Sequence, residues 1–254
     1  MRRQASLAAS TVYTDSESYG ERSPPPSPVS PLAPLSHKSP SGLAVPQRVG
    51  NFELIAHHQL EVPPYIQIAK YRSTKSGLKV IWADCPGTVC HFWTTLVTEV
   101  FSSNGTPHTK EHLTFTASKH WPFSGVLDAL SNRVLSHGVN AWTDIDNTTY
   151  TFECASAEGM LKIVPVYLDH ILFPLMTPEI FKTEIYHVDG TGHEGGVVFS
   201  EMQGNEGSEG TVLDLGLRRI LYSRDNAYRS ETGGQLDALR KLTLDDNKSF
   251  ADTA

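Results

Sequence analysis

The stretch Gly105-Thr106-Pro107-His108-Thr109-Lys110-Glu111-His112-Leu113-Thr114-Phe115 decides how the rest of this 254-residue chain is interpreted. Residues four apart share one face of a helix, so His108 and His112 can direct imidazole nitrogens at one point. Glu111 can reach a water molecule held there. Two imidazoles beside a carboxylate suit a catalytic zinc site, and the order His-x-x-Glu-His is the inverzincin signature. The alternative is a solvated helix face that happens to carry histidine and glutamate.

The sequence around this stretch predicts an α+β fold. Thr106 can cap the motif helix, with Pro107 in its first position. Apolar periodicity predicts further helices at 123–136, 158–172, 178–187 and 213–222, the second of these kinked or interrupted by Pro165. Alternating or β-branched runs predict strands at 66–71, 78–82, 89–97, 139–143 and 148–152. The first two strands would form a hairpin and the third would be central. We therefore expect a mostly antiparallel sheet flanked by helices.

Residues 1–48 form a predicted disordered tail, because they hold eight of the sixteen prolines and few large apolar groups. The remainder, 49–254, is predicted to be one domain. The net charge of −7 argues against a nucleic-acid partner. The sequence contains neither an apolar run of membrane-spanning length nor a secretory signal.

The three cysteines, Cys85, Cys90 and Cys154, are an odd number without a Cys-x-x-Cys pair. They favour a reducing compartment with buried, inert thiols over a disulfide framework. We therefore predict a cytoplasmic protein. The mitochondrial matrix is the alternative, because the first ten residues faintly resemble a transit peptide that the acids after them interrupt.

A catalytic zinc needs a third protein ligand, and the motif does not contain it. Glu201 ranks first because the apolar residues 197–199 precede it, and a partly buried carboxylate must be paired or bound to metal. Glu194, seven residues earlier, would share a face with Glu201 if the helix were continuous. The other candidates remain open: Glu153, Asp169, Glu179, Glu184, Glu206 and Glu209.

Several stretches occur together and in order between about residues 52 and 246. They are 105–115, 140–143, 167–172, 184–187, 196–203 and 228–234. This pattern resembles the pitrilysin/insulinase metallopeptidases, and within them the presequence-protease-like branch, which includes cytosolic fungal and nematode members. The resemblance implies an N-terminal metallopeptidase domain with helices packed on a predominantly antiparallel sheet. The later domains of the family would be absent from this chain.

The resemblance also implies roles for individual residues. His108, His112 and Glu201 would bind Zn²⁺, and Glu111 would be the general base that activates the zinc-bound water. Glu194 would be a supporting catalytic carboxylate. Asn140 and Ala141 match the edge strand that receives substrate, where unpaired backbone groups can bind an extended peptide. Apart from the resemblance, Lys110 is expected to face solvent without a catalytic role, and the remaining histidines are expected to be structural or exposed.

The predicted function is that of a zinc metalloendopeptidase domain acting on short, extended peptides. Its partners would be the peptide substrate and either the missing C-terminal domains or a second chain, with no nucleic acid and no membrane. The alternative is a catalytically silent, truncated homologue that binds zinc or peptide without turnover. A non-peptidase scaffold subunit is disfavoured because the full ligand set is present.

Overall fold

The computed structural model describes residues 44–61 and 66–253. Its helices and antiparallel sheets confirm the predicted α+β class. Residue contacts divide the chain into two compact units, the first ending at Pro86 and the second beginning at Gly87. Most of the predicted tail, residues 1–43, lies outside the described residues, whereas Arg48 already belongs to a strand. A single domain over 49–254 stays a prediction.

The first unit contains an antiparallel sheet in the order β1-β2-β3-β4. Its strands are β1 (Arg48–Val49), β2 (Phe52–Gln59), β3 (Gln67–Ser73) and β4 (Lys79–Asp84). β3 alternates buried and less buried residues, as a half-covered strand does. The register from Gln67↔Asp84 to Arg72↔Lys79 confirms the predicted β3–β4 hairpin.

The second unit is built on a three-stranded antiparallel sheet in the order β5-β7-β6. The strands are β5 (Cys90–Val97), β6 (Val139–Thr143) and β7 (Asn147–Cys154), and a separate ribbon pairs β8 (His187–Val188) with β9 (Glu194–Gly195). The prediction that the strand at 89–97 is central was wrong. β7 occupies the centre and is the most buried of the three, while β5 and β6 are the two edges.

Eight α-helices in the described part of the chain accompany these sheets. They are α1 (Thr106–Thr116), α2 (Val126–Arg133), α3 (Ala157–Leu172), α4 (Pro178–Glu184), α5 (Val197–Asn205), α6 (Glu209–Leu221), α7 (Leu236–Leu239) and α8 (Leu244–Thr253). A short 3₁₀ helix covers Ala227–Arg229. Within the described residues no helix is long and apolar enough to cross a bilayer.

α3 runs through Pro165 as one helix, so of the two predicted effects, a kink or an interruption, the interruption does not occur. Proline removes the hydrogen bond to the carbonyl four residues earlier, which belongs to Leu161. Leu161 lies on an exposed face of the helix, with 76% of the residue accessible to solvent.

Two buried apolar clusters hold the second unit together, and α1 contributes to both. One joins the three-stranded sheet to α2 and α3, with Tyr150, Phe152 and Tyr167 among its largest members. The other joins α1 through Leu113 to α5 through Phe199. Phe115 of α1 packs against the first cluster. Because α1 is covered on several sides, its polar side chains are buried along with its apolar ones.

Candidate metal centre

α1 brings two imidazoles together as the sequence predicts. His108 and His112 lie on successive turns, and their Nε2 atoms are 3.2 Å apart. The helix begins one residue earlier than predicted, since its N-cap is Gly105 and Thr106 is already helical. Gly105 has φ 78°, and a Cβ atom there would lie 2.8 Å from the Gly233 carbonyl oxygen. A glycine is therefore required where α1 starts.

Glu201 of α5 completes a trio with the two histidines. Its Oε2 atom lies 3.7 Å from His108 Nε2 and 3.6 Å from His112 Nε2. Tetrahedral bonds of about 2.0–2.1 Å to zinc would separate ligand atoms by about 3.3–3.4 Å. The three observed separations bracket that value, and no other group of histidine, cysteine and acidic residues in the described chain meets the same distance criterion. The donors therefore fit a divalent metal such as zinc.

Hydrogen bonding orients the His108 ring toward this point. Its Nδ1 lies 3.2 Å from the carbonyl oxygen of Gly233, which can only accept. Nδ1 therefore carries the proton in the neutral imidazole, and Nε2 presents its lone pair toward the trio. Metal-binding histidines are commonly held by such a contact at the other ring nitrogen.

A second carboxylate, Glu184 at the end of α4, lies behind His112. Its Oε2 atom is 4.0 Å from His112 Nδ1. Burial raises the pKa of Glu184, an effect that the nearby imidazole partly opposes. The pKa of Glu201 is lowered, chiefly by its interaction with His112 and then by His108, against the effect of burial. Sequence reasoning included Glu184 among the candidate ligands, but no local signal distinguishes its place behind His112.

Glu111 lies beside the histidines, with only 8% of its surface exposed. Its Oε2 accepts a hydrogen bond of 2.6 Å from Thr143 Oγ1 at the end of β6. Glu111, His108 and Glu201 all face one cavity of about 650 Å³. A carboxylate at this position can take a proton from water held beside the trio.

The structure places Glu194 outside the trio, because no continuous helix joins it to Glu201. Gly195 and Gly196 separate Glu194, in β9, from α5. The Glu194 carboxylate accepts hydrogen bonds from Arg240 (2.7 and 3.0 Å) and Tyr186 (2.8 Å). These bonds, those from Arg240 foremost, lower its pKa to about 2. Its supporting catalytic role stays a prediction.

β6, the predicted substrate strand, is an edge of its sheet and borders the cavity. Ala141 lines the cavity together with Trp142 and Thr143. The carbonyl oxygen of Asn140 accepts a hydrogen bond from the Tyr167 hydroxyl (3.1 Å). The structure thus brings Ala141 to the cavity wall, whereas Asn140 is anchored to the sheet's supporting helix.

Lys110 is not solvent-facing, contrary to the prediction. Only 4% of it is exposed, and its Nζ lies 5.8 Å from the centre of the Phe250 ring. Burial lowers its pKa. The reason is α8, which packs on α1 and joins it through a 2.5 Å hydrogen bond from Thr109 to Asn247.

The other histidines and the cysteines lie outside the trio. His170 is fully buried and contacts the Val166 carbonyl, and His120 contacts Asp169. All three cysteines are free thiols, which agrees with the absence of a disulfide framework. Cys154 is buried, but Cys85 is exposed, so burial of all three was a wrong expectation.

With this geometry in place, comparisons with known proteins identify the class. Residues 98–194 match the sequence model of the insulinase family, peptidase family M16. The matched segment includes the three motif residues of α1 but ends before Glu201. The chain belongs to this family and carries a presequence-protease-like domain of it.

The chain is also similar to individual proteins. An uncharacterised protein of Caenorhabditis elegans is 43% identical over 176 residues, which are 69% of this chain and 18% of that protein. An uncharacterised protein of Saccharomyces cerevisiae is 39% identical over 201 residues, 78% of this chain and 19% of that protein. The mitochondrial presequence protease of Danio rerio is 30% identical over 164 residues, 60% of this chain and 16% of that protein. The chain thus spans less than a fifth of each of these relatives.

Proposed function

We propose that this chain is a zinc-dependent metalloendopeptidase domain that hydrolyses short, extended peptides. The observation that carries the proposal is the convergence of His108, His112 and Glu201 beside the buried carboxylate of Glu111. Membership in a peptidase family supports it independently.

Each residue of the centre has a distinct role in the proposal. His108, His112 and Glu201 would hold zinc, which when bound supplies a Lewis acid that polarises a carbonyl and acidifies water. Glu111 takes the proton of the attacking water and later delivers it to the leaving amine. Thr143 holds the Glu111 carboxylate in place through its 2.6 Å hydrogen bond.

Substrate would bind along β6. The strand is a sheet edge, and an extended peptide can add to such an edge through backbone hydrogen bonds that tolerate many sequences. Asn140 and Ala141 would provide these contacts, which place the scissile bond beside the cavity of about 650 Å³. The proposal includes further domains or a second chain that complete the substrate chamber.

The location of the protein is also a proposal. We propose the cytoplasm, on the basis of the reducing compartment that the odd number of cysteines favours. The presequence proteases among the relatives are mitochondrial by name, which favours the mitochondrial matrix as the alternative.

The test compares two variants of the centre with the wild-type chain. Glu111→Gln should retain stoichiometric zinc but lower the rate of peptide hydrolysis by roughly 10²- to 10⁴-fold, since the general base is lost. His108→Ala should lose the zinc itself. Metal content is measured by elemental analysis, and hydrolysis with a quenched fluorescent peptide in the presence and absence of a chelator.

Matched controls are Glu158→Gln and His137→Ala, whose side chains are 79% and 85% exposed. Both should behave as wild type. Undiminished hydrolysis by Glu111→Gln would contradict the mechanism. Stoichiometric zinc in the wild-type chain without chelator-sensitive cleavage would instead support a silent zinc-binding or peptide-binding domain.

A further inference from the structure

Arg218 of α6 is a buried guanidinium outside the trio. Only 8% of the residue is exposed. Its Nε donates to Asp214 Oδ2 (2.8 Å), and Nη2 donates to Glu231 Oε2 (3.1 Å). Nη1 donates to two backbone carbonyls, those of Tyr228 (3.1 Å) and Ser230 (2.7 Å). Two carboxylates and two carbonyls thus satisfy the charge and most of the donors of one side chain.

Three of these four bonds go to the segment Tyr228–Gly234, which we call the carbonyl loop. Its Glu231 carboxylate accepts from Arg218 with one oxygen and from the Gly233 backbone N–H (3.2 Å) with the other. The Glu231 backbone N–H donates to Ser103 Oγ (3.0 Å), just before α1. Arg218 therefore ties the loop to α6, and Ser103 ties it to the start of the ligand helix.

The carbonyl loop ends against His108. The Gly233 carbonyl oxygen accepts from His108 Nδ1 at 3.2 Å. At Gly233 a Cβ atom would lie 2.8 Å from the flexible end of the Met202 side chain, next to Glu201, whereas Gly234 has φ 95°, a conformation that favours glycine. A Cβ atom on Gly234 would lie 3.0 Å from Gly105 Cα. The loop thus fits between the helices that carry the ligands.

We propose that Arg218 is a positioning residue for the metal ligand His108 and acts through the carbonyl loop. This inference rests on the proposed function, because it assumes that His108 binds zinc. Arg218 binds the Ser230 carbonyl and the Glu231 carboxylate. The Glu231 carboxylate in turn binds the Gly233 N–H. The Gly233 carbonyl then sets the tautomer and the angle of the His108 imidazole. A planar guanidinium bonds four acceptors in fixed directions, which a lysine ammonium cannot reproduce.

The experiment measures the zinc affinity of the full chain by competition with a chromogenic chelator. Arg218→Lys keeps the positive charge but loses the fork of donors, and it should weaken zinc binding by roughly 10- to 100-fold, the range found for partners that orient a metal ligand. With Co²⁺ in place of zinc, the visible absorption of the bound ion should also change. A merely structural role would lower the unfolding temperature of the metal-free chain and leave both readouts unchanged.

Arg229→Lys is the matched control. Arg229 belongs to the same loop but donates away from His108, to the carbonyls of Arg219 and of Tyr222 (2.6 Å). The zinc affinity of the Arg229→Lys chain should equal that of the wild-type chain. Equal affinities of Arg218→Lys and wild type would overturn the inference, and so would an equal loss in Arg229→Lys. A wild-type chain that binds no zinc would instead overturn the proposed function.

Glu231→Gln covers the case in which Arg218→Lys does not fold. The substitution keeps the size of the side chain but removes the negative charge that Arg218 contacts. It therefore weakens one of the three Arg218 bonds to the carbonyl loop and leaves those to the Tyr228 and Ser230 carbonyls. We expect a smaller loss of zinc affinity in the same direction, with folding checked by circular dichroism. Unchanged affinity in a folded Glu231→Gln chain would contradict transmission through the loop.

Discussion

Thr143 and Glu111 show how one distant side chain prepares a group for chemistry. Glu111 is largely buried on α1, and its Oε2 atom receives the hydroxyl of Thr143 from the end of β6 at 2.6 Å. A hydrogen bond to a charged group contributes about 1.5–3 kcal/mol. In the proposed mechanism this bond orients the general base.

Thr143→Val removes the hydroxyl with little change of shape. We expect kcat for peptide hydrolysis to fall roughly 10-fold or more, because the Glu111 carboxylate loses its donor. Zinc content should not change, since Thr143 does not contact the trio. Steady-state kinetics with a fluorescent peptide and elemental analysis give the two readouts.

Thr95→Val is the control, since the Thr95 hydroxyl bonds Thr149 Oγ1 (2.9 Å) in the same sheet, away from Glu111. It should retain the wild-type kcat. A Thr143→Val chain with wild-type kcat would show that Glu111 needs no support from β6.

Among the elements, α5 depends most on a single backbone position. Gly196 caps it with φ 126°, and a Cβ atom there would lie 2.3 Å from the Ile185 carbonyl oxygen. The same carbonyl accepts from the Phe199 N–H (3.2 Å). This close approach packs the first turn of α5 against the end of α4 and sets the position of Glu201.

Gly196→Ala should lower the free energy of unfolding by more than about 2 kcal/mol. Backbone conformations reserved for glycine cost other residues about 1–3 kcal/mol, and the contact with the Ile185 carbonyl adds to this. Urea unfolding followed by circular dichroism measures the change.

Gly204→Ala in the same helix is the matched control. An added Cβ there meets no atom within 4 Å, so the substitution should leave stability unchanged or raise it by up to about 1 kcal/mol. Equal effects at the two glycines would contradict the steric role of Gly196.

At the scale of the whole molecule, ion pairs connect parts of the second unit that are distant in sequence. Arg240, after α7, donates two hydrogen bonds to the Glu194 carboxylate of β9. Its guanidinium carbon Cζ lies 5.3 Å from the centre of the Phe199 ring. The bonds from Arg240 and Tyr186 lower the Glu194 pKa from an ordinary 4.5 to about 2. A folded-state pKa below the unfolded one contributes stability at higher pH.

This linkage predicts how stability depends on acid. The contribution of Glu194 is fully present above its unfolded pKa of 4.5 and is lost as the pH falls toward 2. The unfolding midpoint of Glu194→Gln should therefore lie below that of wild type at pH 6, and the two should converge near pH 2. Urea unfolding at a series of pH values tests this.

Glu99→Gln, at an exposed position in the same unit, serves as the control and should follow the wild-type curve throughout. A difference between Glu194→Gln and wild type that stays constant from pH 6 to pH 2 would exclude the linkage.

The sequence predicted features that depend on neighbouring residues better than features that depend on contacts between segments distant in sequence. The strands 66–71 and 139–143 and the helix 158–172 were found close to their predicted bounds, because apolar periodicity is a local signal. The central strand was misassigned, because strand order depends on pairing between distant segments. The prediction that Lys110 faces solvent was wrong because α8, which covers it, is distant in sequence and no local pattern indicates this packing.

The sequence by itself determined the pair His108 and His112 with Glu111 beside them, since helix geometry alone puts residues four apart on one face. Only the tertiary structure decided which distant groups join them. Glu201 lies beside the two imidazoles, whereas Glu194 binds Arg240 instead. The Gly233 carbonyl, 125 residues away in sequence, contacts the His108 ring. Such contacts depend on how α1 packs between two cores, and no periodicity along the chain encodes them.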